Sequence, residues 1–397
     1  MDFTLKPELE QLRARVRAFI DEKIIPKELA VIDEDRRREY GTLRALQAEA
    51  RAAGLWVPHL PVEYGGRGLG PMGMCTLFRE MGRSPVGAKV FNCDAPDQGN
   101  MDLLLQSGSE AIKARWLKPL VDGEITSGFS MTEPAPGAGA DPSNLRTKAV
   151  RDGNEWVIDG HKWYTTGGGD AAFLIVMART SDDPKRGASM FVVDRNAPGV
   201  EHVRDIPVMS EPLLQHREAE IRYRGVRVGD DAVLGEIGEG FSLAQRRLVP
   251  ARLTHCMRWL GLASRAVELC RAYVGTRQSF GKLLAQHQQI QVMLAEAAAG
   301  IHAGNLMTFH CAWMLERGQA KEARVYSSMA KNHVARLLCK TLDDAIQMHG
   351  GLGFSDDMPF AQWYRSARAA RIADGPDEVH VALIARELLL GKLNLLV

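Results

Sequence analysis

The spacing of apolar residues changes period twice along the chain. Up to about residue 120 it is helical. Leu9, Leu12, Val16, Phe19 and Ile20 form an i, i+3/i+4 stripe, and Pro26 is expected to stop or bend that helix. A second helix is predicted over residues 40–53, closed by Gly54 as a C-cap. Residues 58–73, with Gly65-Gly66 and several prolines, must be loop, and residues 72–81 and 99–120 read as further helices. From about 125 to 235 the pattern is strand and turn. Residues 155–159 lie between the turn signals Asp152-Gly153 and Asp159-Gly160, while 171–178 (AAFLIVMA) and 188–193 (ASMFVV) are apolar and rich in β-branched residues. Ile221, Tyr223 and residues 226–228 add shorter strands. Short strands without long intervening helices predict an antiparallel sheet or small barrel.

Beyond Gly240 the helical period returns over 245–277, 288–317 and 320–348, with a fourth helix from about Glu378. Rods of that length suit an antiparallel bundle, and Ala295, Ala297, Ala298, Ala299, Ala303 and Gly304 would permit close helix approach. The predicted class is α+β: an N-terminal helical domain (1–124), a central antiparallel β domain (125–238) and a C-terminal four-helix domain (239–397).

Composition narrows the function. An apolar fraction of 45% and a charged fraction of 25% exclude a disordered or fibrous protein. With 50 Lys+Arg against 49 Asp+Glu, nothing calls for nucleic acid or an anionic membrane as partner. The six Cys form no CxxC pair, so neither a disulfide scaffold nor a zinc site is expected; there is no HExxH, and no metal is predicted. Charges interrupt the first twenty residues, which argues against a signal peptide, and no apolar run of spanning length follows. A soluble protein at a cytoplasmic address, without membrane insertion, is the expectation.

Five segments could carry chemistry. Phe129–Asp141 (FSMTEPAPGAGAD) is a Gly- and Pro-rich loop that could offer backbone N–H groups and the Thr132 hydroxyl to a planar or phosphorylated ligand; it could equally be a plain connection. It is neither a GxGxxG fingerprint nor a P-loop. Tyr164 and Thr166, at spacing two on a predicted strand, could hold a flat heterocycle or be ordinary strand residues. Arg277 offers a multidonor fork suited to pyrophosphate and Phe280 a ring, in what could otherwise be a helix linker. Gln347, Gly350 and Gly351 mark a helix end open to close backbone approach. Asp374 precedes Gly375-Pro376 and could be a general base, whereas Asp377 and Glu378 fall in the first turn of the last helix, where a capping role is the commoner one.

Read together, FSMTEP at 129–134, KWYTTGG at 162–168, RQSFGK at 277–282 and QMHGGLGF at 347–354 resemble the acyl-CoA dehydrogenase family over essentially the whole chain. The wording IADGPDEVH at 372–380 resembles the branch found as the C-terminal part of larger mammalian members and as stand-alone bacterial homologues. The resemblance implies FAD between the β and C-terminal domains, with Phe129, Met131 and Thr132 along the flavin and Tyr164 and Thr166 flanking its reactive side. It implies that Arg277 and Phe280 reach a neighbouring subunit's cofactor, and that Gln347, Gly350 and Gly351 line the adenosine end. Asp374 falls where the family carries its catalytic Glu, with Arg252 and Gly375 beside the substrate. Two departures stand out: Asp374 is one methylene short, and the loop that usually reads TEPGAGSD is TEPAPGAGAD, two residues longer, with Ala140 in place of a serine.

The implied reaction is α,β-desaturation of an acyl-CoA to a trans-2-enoyl-CoA, with proton removal by Asp374 and hydride transfer to flavin, in a homodimer or homotetramer that passes electrons to an electron-transfer flavoprotein. Two alternatives remain: an acyl-CoA oxidase or flavin-dependent monooxygenase on the same fold, and a non-catalytic FAD- or acyl-CoA-binding protein. A carboxylate aimed at a substrate α-carbon counts against both the monooxygenase and the scaffold.

Overall fold

The computed structural model describes residues 5–183, 186–209 and 217–393. The first helix, Pro7–Phe19, does not end at Pro26. It passes through a π turn (Ile20–Ile24) and a 3-10 turn (Ile25–Lys27) into Glu28–Arg36, so Pro26 bends the rod without stopping it. The second, Gly41–Ala52, closes as predicted: Gly54 takes φ +65°, its N–H meets the Arg51 carbonyl, and the N–H of Leu55 meets that of Ala50. This is the paired C-terminal hydrogen bonding that a glycine permits. The single helix expected over 99–120 is two segments, Asp97–Ser107 and a run from Glu110 to Val121, because Ser109 caps the N–H of Ile112 and restarts the chain after Gly108.

The central domain is one sheet of eight strands: β1 Ser127–Ser130, β2 Lys148–Asp152, β3 Glu155–Thr166, β4 Phe173–Arg179, β5 Ala188–Asp194, β6 Val200–Ile206, β7 Glu218–Gly229 and β8 Val233–Leu234. Along it the order is β6-β7-β3-β1-β4-β5-β8, with β2 against β3 and β4. Antiparallel pairings dominate, as the pattern predicted, but β1 and β2 each run parallel to β4. Strand β4 is buried on both faces. Phe173, Ile175 and Met177 join Met101, Leu104 and Leu243 of the flanking helices, while Leu174, Val176 and Ala178 join Ile158, Ile221 and Tyr223 inside the sheet's own core. That two-sided burial explains why its sequence is an unbroken apolar run.

The C-terminal region holds the long helices Gly240–Val274, Gln288–Glu316, Ala320–His349 and Asp377–Leu389, with a shorter Phe360–Ala367. Of the small residues in the second of these, Ala297 and Gly304 are buried, and a Cβ on Gly304 would approach Leu260 to 2.9 Å; Ala295, Ala298 and Ala299 are exposed. A close backbone contact joins the helical regions. Added Cβ atoms would stand 2.2 Å from the Arg258 carbonyl oxygen at Gly82, and 2.1 Å from the Arg79 carbonyl oxygen at Gly261. Only glycine lets the Pro71–Met81 helix press this closely on Gly240–Val274. The Glu28–Arg265 pair, at 2.7 and 2.8 Å, ties the first rod to the same helix. All six cysteines are free and buried. Among the described residues no helix is long and apolar enough to cross a membrane, and no cluster of His, Cys, Asp and Glu is placed to hold a metal.

Candidate active site

Asp374 lies between the last 3-10 turn (Arg368–Arg371) and the Asp377–Leu389 helix, in a left-handed conformation with φ +54°, followed by Gly375 at φ +102°. Aspartate tolerates that region better than most residues, and the glycine is needed for a second reason: a Cβ there would stand 3.0 Å from Nε2 of buried His380. Two buried cations hold the turn by its carbonyls. Arg252 Nε donates to the Asp374 oxygen at 3.0 Å, and Lys331 Nζ donates to that of Gly375 at 2.7 Å. The Asp374 side chain is thereby turned toward the Gly240–Val274 helix, where His255 Nε2 lies 3.2 Å from Oδ2.

Burial alone would raise the proton affinity of Asp374, but His255, Arg247 and Arg252 outweigh it and hold the carboxyl well below the usual range. It is an anion at neutral pH. Arg247 also ties this carboxylate to the sheet. Its guanidinium sits 4.0 Å over the Phe129 ring, and its Nε donates to Asn100 Oδ1 at 3.0 Å. Next to it, burial pushes Asp102 up to about 7. Phe129 pairs directly with Thr166 across β1 and β3, and the Trp163 N–H meets the Thr132 carbonyl at 3.1 Å. Phe129, Thr132, Thr166, Arg247, Arg252, Asp374 and Gly375 thus line one path from the middle of the sheet to the helix.

Other expected residues lie elsewhere. Tyr164 and Thr166 are not joined by a regular strand alternation. Tyr164 adopts φ +48° at a register irregularity between Lys162 and Thr165, so those two are buried three residues apart while Tyr164 is turned outward. A bulge resets the strand alternation. Thr166 donates its hydroxyl to Glu218. Arg277 and Phe280 belong to a hairpin, Gln278–Ser279 with Lys282–Leu283, whose turn residues Phe280 and Gly281 both have positive φ; Phe280 is 96% exposed and neither residue reaches the Asp374 path in its own chain. Gln347 is exposed at the end of the Ala320–His349 helix. Gly350 (φ +62°, ψ −136°) takes a conformation open essentially to glycine alone, and a Cβ on Gly350 or Gly351 would meet nothing within 4 Å.

Asp377 does not cap the last helix. Pro376 occupies the cap position, and Asp377, nearly fully buried, accepts from Arg371 Nε at 2.8 Å and Arg336 Nε at 3.1 Å. It fastens the turn to the bundle. Asp377→Asn is therefore expected to lower stability by about 2 kcal/mol, the scale of a charge-assisted bond, in chemical denaturation, more than a lost cap would.

Several contributing residues were not singled out in the sequence. Glu133 and Lys162 stand inside two of the motifs and pair with each other. Lys162 Nζ, fully buried, meets Glu133 Oε1 at 2.9 Å and the Met131 carbonyl at 2.7 Å, while Glu133 accepts from the N–H groups of Ala138, Arg146 and Thr147. This cluster fixes the Gly- and Pro-rich loop to β3. Arg247 and His255 share the Arg252 helix, where polar residues interrupt an otherwise apolar buried side; that interruption was the available signal.

The sequence descriptions of the N-terminal, middle and C-terminal domains of acyl-CoA dehydrogenase match residues 6–124, 128–222 and 238–389. The Mycobacterium tuberculosis protein named Probable acyl-CoA dehydrogenase FadE2 is 40% identical over 97% of this chain and 96% of its own. Acyl-CoA dehydrogenase family member 11 of Homo sapiens is 35% identical over 95% of this chain, which spans 50% of that protein. A solved structure from Mycobacterium abscessus superposes with a TM-score of 0.93 at 37% identity, covering 98% of this chain and 100% of that one. The chain belongs to the acyl-CoA dehydrogenase family.

Proposed function

We propose that this acyl-CoA dehydrogenase desaturates an acyl-CoA thioester to the trans-2-enoyl-CoA with FAD as cofactor and Asp374 as the base. The observation that carries the reading is a carboxylate, anionic and largely shielded, whose turn is clamped by Arg252 and Lys331 at the end of a path that begins with Phe129 and Thr166. Bound FAD supplies the two-electron acceptor for the β-hydrogen. The protein residues fit that group. Phe129 offers an aromatic edge, Thr132 and Thr166 hydroxyls, and the open Gly350-Gly351 corner room for close approach. Asp374 takes the α-proton, which the thioester acidifies. Its side chain is 18% exposed, so an acyl chain seated against it removes its remaining water and raises its proton affinity where the proton arrives. Absorbance of the purified protein at flavin wavelengths, bleached by acyl-CoA under anaerobic conditions, is the expected result. A flavin-free protein, or a flavin indifferent to acyl-CoA, would overturn the reading.

The Asp-Gly-Pro turn supports placing the chain in the branch that includes the larger mammalian members; a cytoplasmic address and an electron-transfer flavoprotein as acceptor belong to the same proposal. The three domains divide near residues 124 and 238. A homodimer or homotetramer is part of the same reading. Exposed Phe280 and Arg277 point away from their own site, and Leu306, Trp313, Val381 and Leu389 leave apolar surface on the outer bundle helices. Arg277→Ala is expected to weaken FAD retention about tenfold, one charge-assisted contact, without dissociating the oligomer, as read by flavin release and light scattering. A monomer that keeps its FAD would sink the shared-site arrangement.

A further inference from the structure

The hydrogen on His255 is placed by a neighbour that can only donate. Arg258 Nη2 lies 2.8 Å from His255 Nδ1. Because a guanidinium has no acceptor, Nδ1 must accept, and a neutral ring then carries its hydrogen on Nε2. Burial and the Arg258 charge keep His255 below its ordinary pKa, so the ring is neutral at pH 7. Arg258 is itself fixed, with Nη1 2.6 Å from Asp94 Oδ1 and 3.3 Å from the Cys93 carbonyl. The imidazole stacks on Trp259 at 5.3 Å and 20°. Its Nε2 faces Asp374 Oδ2, which is shut off from water and has no aligned hydrogen bond in this state. The exposed part of the Asp374 side chain therefore excludes Oδ2.

We propose that His255 is a positioning residue for Asp374: the Asp94–Arg258–His255 chain presents an Nε2–H to Oδ2 and leaves Oδ1 as the oxygen that meets the substrate. The inference rests on Asp374 being the base. In the step itself the substrate Cα–H bond breaks, the proton ends on Oδ1, and the Cα–H electron pair becomes the Cα=Cβ bond as the β-hydrogen leaves with its own pair as hydride, for which FAD would be the acceptor. His255 neither gains nor loses a proton, since Arg258 occupies its other nitrogen. The charged and titratable groups around this pair are Arg247, Arg252, Cys256 and Arg258 on its own helix, Asp94 and Asp102 from the segment and helix beside it, Lys331 from Ala320–His349, and His380 from the last helix. With those unchanged, loss of the Nε2 donor raises the proton affinity of Asp374, and the acid limb of the rate profile moves to higher pH.

His255→Phe keeps a ring on Trp259 and removes the donor, whereas His255→Gln keeps an amide N–H near the same place. For His255→Phe, flavin reduction by acyl-CoA is expected to slow about 10- to 100-fold, the scale for removing an outer partner of a reacting ligand, with the acid limb displaced upward and FAD content retained. His255→Gln should recover most of the rate and the original limb. In protein labelled with 15N-histidine, the ring resonances lost in His255→Gln should show the Nε2–H tautomer, and Arg258→Met should abolish that preference. An unchanged rate and acid limb in His255→Phe, or a proton found on Nδ1 in the wild type, would overturn the inference. Asp374→Asn separates the two readings. If it reduces flavin at the wild-type rate, the base assignment fails; if it is inactive while His255→Phe is normal, only the role of His255 fails.

Discussion

Asp374→Asn should reduce its flavin roughly 10²–10⁴-fold more slowly than the wild type in single-turnover mixing with acyl-CoA, the range for removal of a positioned base. FAD content and the turn should survive, because the clamps run through the Asp374 and Gly375 carbonyls and not through the carboxylate. Asp374→Glu restores the carboxylate usual in the family but carries it about one methylene further into a space bounded by Arg252 and His255; partial activity is expected. Asp377→Asn should behave in the opposite way, losing stability with little change in the chemical step. The pH dependence follows from the sign of the shift. Asp374 is held well below the usual carboxylate range, so it works as an anion, and its activity should fall only when the pH drops through that depressed value. Flavin reduction in the wild type should therefore show no acid limb from Asp374 near neutrality. Wild-type reduction by Asp374→Asn, with loss in Asp377→Asn or Glu378→Gln, would place the base on the helix instead.

The second large effect is on stability, at the buried pair under the Gly- and Pro-rich loop. Lys162→Met should cost about 3 kcal/mol at pH 7, the low end for breaking a buried ion pair, since Glu133 keeps three backbone donors. Glu133→Gln should cost a comparable amount for the opposite reason, leaving a buried ammonium among neutral acceptors with no counter-charge. The two variants should differ in pH dependence. In the folded wild type, Glu133 is lowered to about 2, where burial opposes and Lys162 and the Thr147 contacts win; its stabilisation is present above the ordinary glutamate value of 4.5 and is lost as pH falls through about 2. In Lys162→Met the stranded carboxylate can be relieved by protonation, so the deficit against the wild type should shrink between pH 7 and 4.5. Lys162 is lowered by burial to about 8 against Glu133's opposing pull. Without Glu133 the buried amine favours its neutral form more strongly, so the unfolded chain binds the extra proton and the stability of Glu133→Gln should rise with pH. Thermal melts of both variants from pH 4.5 to 9 test this. Parallel deficits at every pH would mean that the pair is not ionised in the fold.

Periodicity in the chain was enough to locate the helices of the two outer regions and the strands between them, because each element buries one face and its residues must repeat at 3.6 or 2 to do so. Its errors fall where a local event resets that count. Ser109 restarts a helix that the pattern ran through, and the bulge at Tyr164 moves the strand out of phase. Four short motifs in order were sufficient for the family, and IADGPDEVH made Asp374 the candidate base. What the sequence could not contain is who faces whom between segments that lie apart along the chain. Lys162 and Glu133 were both on view in separate motifs, yet their pairing appears only when β3 is laid beside the loop after β1. His255 reads as one more polar residue in a long helix until the glycine contact of Gly82 and Gly261 brings Asp94 up to Arg258, and the Arg252 and Lys331 clamps bring Asp374 down to its Nε2. Linear sequence determined the elements and the chemistry available, because propensity and burial act locally. Only the tertiary structure decided which carboxylate is buried among cations and which oxygen of it is left open, because charge and desolvation are properties of what surrounds a group and not of the group itself.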